Sequence, residues 1–119
     1  MDSVKFVASH SALDSVFVAT DREIRRHTSI KDKAVSIAKA EEDISTIYCT
    51  EKYLFVGGEK GKLSIYNAET LEPVRVFQNG DNKISCISLN QNRLFVGDSM
   101  SKIKVFVFQR DNLGLVMER

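Results

Sequence analysis

The sequence predicts an all-β fold built from three similar antiparallel sheets of four strands each. The first observation is a repeat: ISTI at 44–47 recurs as ISCI at 84–87, and LFVG at 54–57 recurs as LFVG at 94–97. Both recurrences have the same offset, so the second copy follows the first without an insertion or a deletion. The second observation is that the apolar segments are short, rich in Val, Ile, Phe and Tyr, and separated by polar or glycine turns, as strands are. A repeat of about 40 residues made of short strands is typical of β-propeller blades.

The repeat divides the chain, residues 1–119, into three blades of one partial propeller. We assign residues 44–83 to the second blade and 84–119 to the third. Residues 1–43 form a weaker first copy, since the VFVA segment at 16–19 would have to lie at 14–17 to keep the exact register. Length changes of this kind belong in surface turns, where they are tolerated.

Each copy is expected to contain four strands, placed by the apolar segments and the turns between them. The expected bounds are 4–9, 15–20, 23–28 and 34–38 in the first copy, 44–49, 53–58, 62–67 and 73–78 in the second, and 84–89, 93–98, 102–108 and 114–118 in the third. Residues 31–43 could also form a short helix on propensity alone, and the repeat register favours the strand. The segments at 54–56 and 94–96 are apolar at every position, which indicates strands buried on both faces. On that basis Phe55 and Phe95 are expected to be equivalent buried residues.

One segment of the second copy resembles the end of a WD40 repeat. In GGEKGKLSIYN at 57–67, Tyr66 stands for the usual Trp and Asn67 for the usual Asp, and Gly80-Asp81 stands where Gly-His is common. The chain has no Trp, and no copy holds the complete Asp-His-Ser/Thr-Trp hydrogen-bond network of that family. The resemblance implies a divergent WD40-like β-propeller that binds a protein or peptide partner.

Composition sets the remaining expectations about partners and location. The net charge of +1 gives no electrostatic reason to expect nucleic acid or a membrane as a partner. No signal peptide is expected, and no segment approaches the roughly 20 apolar residues of a spanning helix. Two cysteines, Cys49 and Cys86, are too few for a disulfide framework, so both are expected to be reduced. Both are expected in inner strands, unligated and slow to react with thiol reagents. A cytoplasmic or nuclear protein fits best.

Neither catalysis nor a metal site is expected. The two histidines, His10 and His27, have no Cys or carboxylate at metal-ligand spacing, and no Ser or Cys lies in a recognisable nucleophile turn. No cofactor is expected. The pair Arg25-Arg26 leaves one alternative, a phosphoinositide-binding membrane-trafficking propeller. His27 follows this pair in place of the glycine of that motif, and adjacent strand residues point to opposite faces, so a solvated or ion-paired role is favoured.

The primary functional hypothesis is a non-catalytic scaffold for protein–protein interaction. Loops at the rims of propeller blades commonly hold partners. The candidate contact residues are the side chains expected in these loops: Asp21, Arg22, Glu59, Lys60, Asn79, Asp81, Lys83, Asp98 and Met100.

Three blades are too few for a closed ring, which typically has about four to eight. The two end blades are therefore expected to expose apolar faces, formed by Phe6, Val16 and Val18 at one end and by Phe95, Val105 and Phe106 at the other. Such faces mark interfaces. Further blades could come from the same, longer protein, from a second copy or from a partner chain, and an N-terminal portion of a longer propeller is favoured.

Overall fold

Twelve strands form three separate four-stranded sheets in the computed structural model, which describes residues 4–10, 15–28, 34, 36–109 and 112–117. In chain order the strands are β1 (Phe6–His10), β2 (Ser15–Ala19), β3 (Glu23–Thr28), β4 (Ser36–Lys39), β5 (Ile44–Cys49), β6 (Tyr53–Gly58), β7 (Lys62–Asn67), β8 (Pro73–Gln78), β9 (Ile84–Asn90), β10 (Arg93–Asp98), β11 (Ile103–Gln109) and β12 (Asn112–Met117). Strands β1–β4, β5–β8 and β9–β12 are the first, second and third blades. Each blade is an antiparallel meander in which consecutive strands pair. The all-β prediction of three four-stranded blades is confirmed.

Strand bounds follow the sequence prediction most closely in the second blade, where all four agree. In the first blade, β4 is a strand at 36–39, so the strand predicted from the repeat register forms in place of the helix. In the third blade, the last strand spans 112–117 instead of the predicted 114–118.

The hydrophobic core consists of two layers, one between each pair of neighbouring blades. Between the first and second blades, Phe17 and Ile24 pack in one cluster with Leu54 and Val56. Between the second and third blades, the cluster contains Phe55, Leu63, Ile65, Ile84, Leu94, Val96 and Phe106. Fully burying a side chain of this size contributes about 1.5–3 kcal/mol. The second blade is therefore covered on both faces, as the apolar pattern of β6 predicts.

Burial differs from the expected end-blade faces at Phe6 and Phe106. Phe6 pairs with the buried Ala19 and packs against the cluster between the first and second blades, so it lies on the covered face. Phe95 is 36% exposed, as expected for the uncovered face of the third blade and contrary to its expected equivalence with the fully buried Phe55, because no further blade covers its face of the sheet. Phe106 is expected from the sequence on the uncovered face and is instead buried beside Phe77 of the second blade, with the ring centroids 6.0 Å apart. It pairs directly with Leu94, and paired residues in a sheet share a face.

Polar contacts supplement the apolar layers at the innermost strands. The buried Ser45 hydroxyl in β5 donates a hydrogen bond to the carbonyl oxygen of Ile84 in β9 at 2.6 Å. Nε2 of His10, at the end of β1, lies 2.6 Å from the carbonyl oxygen of Glu51 in the second blade. Each contact joins neighbouring blades and helps to set their relative position.

Candidate partner-binding rim

One edge of the three-blade stack carries all the loops that the sequence identified as contact regions. Antiparallel meanders place the β2–β3 turn, the β6–β7 turn and the β10–β11 turn at the same edge as the connections between blades. We call this edge the upper rim; it comprises residues 20–22, 40–43, 59–61, 79–83 and 98–102. The opposite edge, the lower rim, includes residues 50–52, 68–72 and 91–92.

Backbone hydrogen bonds connect the upper-rim loops in sequence from the first blade to the third. Amide groups of the connections between blades donate to the β2–β3 turn and the β6–β7 turn, as in Ala40 N–H to the Arg22 carbonyl at 2.7 Å and Asn79 N–H to the Gly61 carbonyl at 2.7 Å. Ser99 N–H in the β10–β11 turn then donates to Lys83 at 2.9 Å. Since loops with satisfied backbone groups are held in one conformation, the upper rim is an ordered surface.

Glu42 supplies a buried carboxylate to this network. Its Oε2 accepts hydrogen bonds from the backbone N–H of Lys60 at 2.6 Å and of Lys62 at 3.2 Å. A side chain at position 58 would collide with this carboxyl group, so Gly58 leaves the space that Glu42 fills. The connection from the first blade therefore fixes the β6–β7 turn of the second.

The third blade holds the equivalent turn with a different residue. Oδ1 of Asp98 accepts from the N–H groups of Met100 at 2.9 Å and Lys102 at 3.0 Å. Asp98 is the counterpart of Gly58 in the repeat, and its two donors are the counterparts of Lys60 and Lys62. Two carboxylates from different places in the chain thus cap the same pair of amides in successive blades.

Ion pairs order the surface of the upper rim in the first blade. Nζ of Lys5 lies 2.9 Å from Asp21, and Nε of Arg22 lies 2.8 Å from Asp43. The hydrogen bond from Arg22 lowers the pKa of Asp43 below its ordinary value, and the positive charges of Arg22, Lys5 and Lys60 lower it further. The hydrogen bond to Asp21 raises the pKa of Lys5. An open depression is lined here by Asp21, Arg22, Glu23, Lys39, Ala40 and Asp43.

All nine predicted contact residues lie on the upper rim, but they differ in exposure. Asp21, Arg22, Glu59, Lys60, Asp81, Lys83 and Met100 are exposed, and Asp98 is half-buried. Asn79 is buried, so its side chain is not on the surface that a partner would meet. Sequence reasoning missed Glu42 and Asp43. Their counterparts in the next connection are Asn82 and Lys83, so the repeat gave no signal for either carboxylate.

The arginine pair considered for phosphoinositide binding is divided between the two faces of β3. Arg25 pairs across the sheet with Val18 on the uncovered face of the first blade and forms an ion pair with Glu23 at 2.5 Å. Arg26 pairs with Phe17 on the covered face and donates to the Ser15 hydroxyl at 2.6 Å. The two guanidinium groups therefore do not converge on one ligand.

The residues at the Trp and Asp places of the WD40 pattern have local structural roles. Tyr66 is buried between the first two blades, and its burial raises the pKa of the phenol. Oδ1 of Asn67 accepts from the N–H of Glu69 at 2.9 Å and of Thr70 at 3.0 Å. The Asn67 side chain thus helps to close the β7–β8 turn, as Asx side chains do in turns.

Neither a metal cluster nor a membrane-spanning helix is found in the part of the chain that the structure describes. No three His, Cys, Asp or Glu side chains among these residues lie close enough to hold a metal ion. No helix among them is long and apolar enough to cross a membrane.

Comparison with solved structures identifies the fold. The crystal structure of the RRP9 WD40 repeats is 14% identical with a TM-score of 0.81, over 90% of this chain and 36% of that one. The structure of U3-55K is 13% identical with a TM-score of 0.81, over 90% and 36%. A chain of the mitotic checkpoint complex is 20% identical with a TM-score of 0.74, over 98% and 39%.

No protein-family model and no curated protein sequence matches the chain. The structural likeness nevertheless defines the architecture: the chain forms three blades of a WD40-like β-propeller. It spans little more than a third of the length of these three structures.

Proposed function

We propose that the chain is a non-catalytic scaffold whose upper rim binds a peptide or protein partner. The observation that carries this proposal is the continuous hydrogen bonding of the upper-rim loops across all three blades. An ordered surface loses little conformational entropy on binding, which favours affinity. Charged residues are fixed along it by ion pairs and backbone caps, and Met100 adds an exposed apolar side chain that can adapt to different partners.

Two further features belong to the proposal. The propeller ring is completed by additional blades, from the same protein, a second copy or a partner chain. The scaffold works in a reducing compartment, the cytoplasm or the nucleus, in keeping with its two free cysteines. One of its structural neighbours is a chain of a complex, the mitotic checkpoint complex.

The test compares matched charge changes on the two rims. The upper-rim variant combines Lys60→Glu with Met100→Glu, and the lower-rim control combines Lys52→Glu with Asn92→Glu. All four positions are exposed, and both variants change the net charge by the same amount. Peptides are first selected on the wild-type chain from a displayed random library, and their Kd is then measured for each variant.

We expect the selected peptides to bind the upper-rim variant at least about tenfold more weakly, a change of about 1.4 kcal/mol. Their affinity for the lower-rim control should stay within twofold of wild type, since twofold is only about 0.4 kcal/mol. Peptides that lose affinity for the control and keep it for the upper-rim variant would place the binding surface elsewhere and overturn the proposal.

A further inference from the structure

The two end blades leave one sheet face each without cover. On the first blade we define the leading face by Val7, Val16, Val18 and Ile37, which follow from the cross-strand pairs of β1 to β4. On the third blade we define the trailing face by Cys86, Phe95, Ile103 and Val105. Val7, Ile37 and Ile103 are each more than half exposed, so both faces present apolar surface to solvent.

The internal interfaces show what these two faces fit. In the first interface, Phe17 packs in one cluster with Leu54 and Val56 of the following blade. In the second, Phe55 packs with Leu94 and Val96. On the trailing face, Phe95 is the counterpart of Phe17 and Phe55. On the leading face, Val16 and Val18 are the counterparts of Leu54 and Val56.

At two positions of the repeat, the side chain is buried where another blade follows and exposed in the third blade, where none follows. Phe17 and Phe55 are fully buried and Phe95 is 36% exposed. Ile24 and Leu63 are fully buried, and Ile103 is 66% exposed. The trailing face therefore has apolar residues at the positions that are buried by a following blade in the first and second blades.

The serine that donates a hydrogen bond to the next blade also recurs in the third blade. Ser45 donates to the carbonyl oxygen of Ile84 at the start of the next blade. Ser85, the counterpart of Ser45 in the repeat, is exposed at the innermost strand of the third blade. Val4 is the counterpart of Ile84 at the start of the first blade. The carbonyl oxygen of Val4 in a second copy is therefore the acceptor that corresponds to Ile84 for the Ser85 hydroxyl.

We propose that the trailing face of one copy docks on the leading face of a second copy, so that two chains close a six-bladed ring. The contact is head-to-tail and continues the pattern of the two internal interfaces. It is made twice, because each copy contributes both faces, and a head-to-tail contact closes when the rotation completes a turn. Six blades lie within the usual range of propellers. Arg25, on the leading face, is already paired with Glu23, so docking does not bury that guanidinium group without a partner.

This inference rests on the proposed function, because it names the second copy as the source of the missing blades. Its test is the mass of the chain by analytical ultracentrifugation from about 1 to 100 µM, the range in which weak to moderate association is populated. We expect a species of twice the 13.4 kDa chain mass that does not grow further with concentration. A monomer throughout, or a series of growing species, would overturn the closed ring.

Variants of the two faces test the head-to-tail arrangement. Val16→Asp on the leading face and Phe95→Asp on the trailing face should each give monomers, with circular dichroism checking that they remain folded. A mixture of the two variants should recover a dimer through the one intact junction. Val76→Asp is the matched control, since Val76 is exposed on the outermost strand of the second blade, and this variant should stay dimeric. A dimer that survives Val16→Asp alone would show a different interface.

Cross-linking tests the register of the junction. The Cβ position of Gly57 lies 2.7 Å from Cγ2 of Ile84 and 2.9 Å from Cγ2 of Thr46, so Thr46 faces the start of the next blade. The corresponding residues at the junction between copies are Cys86 and Val4. In a Cys49→Ala background, Val4→Cys should be joined to Cys86 of the second copy by a short bifunctional maleimide. Dimers that do not cross-link would refute this register, while peptide binding to the upper rim would be unaffected.

Discussion

At the scale of single residues, the two carboxylates that cap equivalent turns show how the blades have diverged while keeping the same geometry. Glu42 reaches the β6–β7 turn from the connection between blades, and Asp98 reaches the β10–β11 turn from its own strand. Gly58 permits the first arrangement, and the aspartate at the position equivalent to Gly58 provides the second. A blade uses either Glu42 or the aspartate to cap these two amides and not both, because a side chain at position 58 would collide with the Glu42 carboxyl group.

The two arrangements predict that an aspartate at position 58 can cap the β6–β7 turn of the second blade when Glu42 is removed. Glu42→Ala should destabilise the fold by about 1–3 kcal/mol, because two part-buried amides lose a charged acceptor. Gly58→Asp alone should also destabilise it, since its side chain collides with Glu42. The double variant should be more stable than the sum of the single effects by at least about 1 kcal/mol. Urea unfolding measures all three, and strictly additive effects would contradict this prediction.

The two cysteines are predicted to differ in reactivity. Burial raises the pKa of the Cys49 thiol to about 11, so little reactive thiolate is present near neutral pH. Cys86 is exposed on the trailing face, which corrects the expectation that both thiols react slowly. In dilute native protein, a maleimide reagent should label Cys86 at least about tenfold faster than Cys49. Mass spectrometry of the labelled peptides gives both rates, and equal rates would contradict the assignment.

Phe55 and Phe95 are equivalent in the repeat but are predicted to contribute unequally to stability. Phe55→Ala should cost about 3–5 kcal/mol, because it leaves a cavity between two blades. Phe95→Ala should cost about 1–2 kcal/mol when the chain is dilute, since one side of its ring already meets water. Chemical unfolding of both variants at low micromolar concentration makes the comparison. Equal costs would mean that Phe95 is covered in the single chain.

At the scale of strands and turns, the sequence predicts where the strands lie better than it predicts how their side chains are buried or capped. The four strands of the second blade were placed correctly because a turn containing Gly61 and the head-of-strand Pro73 mark their limits. The repeat also placed β4, against the local helix propensity of residues 31–43. The repeat register shows which residues are equivalent but not how many blades cover them, so register alone predicts the same burial for Phe95 as for Phe55. The count of three blades correctly predicts that Phe95 is exposed. The caps by Glu42 and Asp98 were not predictable, since they use different positions in the two copies.

The upper rim offers a matched pair of glycine substitutions, one in the β6–β7 turn and one in the connection between β8 and β9. Gly61 has a φ of +92° and its added Cβ would collide with the Gly80 carbonyl, whereas Gly80 has a φ of +78° and open space around it. Gly80→Ala should therefore cost about 1–2 kcal/mol from the left-handed backbone alone, and Gly61→Ala should cost more. Ser101, at the place equivalent to Gly61, has a φ of 64°, so Ser101→Gly should stabilise the third blade. Thermal unfolding ranks the three variants, and an equal loss for both alanine variants would exclude the collision.

At the scale of the whole molecule, the blades form a stack in which, among the described residues, each core cluster joins two blades that are consecutive in the chain. Both core clusters include residues of the second blade, while the end blades contribute to one cluster each. In such stacks, stability is approximately the sum of the individual units and their interfaces. The upper rim is built on the same principle, since its hydrogen bonds run from each loop to the next. A closed ring would add two interfaces of the type already present.

Hydrogen exchange is predicted to report this arrangement blade by blade. In dilute chain, amides of β6 and β7 should be the most protected, because opening them disrupts both core clusters. Amides of β2 and β10 should exchange at least about tenfold faster, since opening an end blade disrupts only one cluster, and each step of about 1.4 kcal/mol changes the opening equilibrium tenfold. At concentrations where two copies form the ring, the end blades should gain protection and the difference should shrink. Phe95→Asp, which removes the junction, should keep the dilute pattern at every concentration. Uniform protection in a chain shown to be monomeric would mean that the three blades unfold as a single unit.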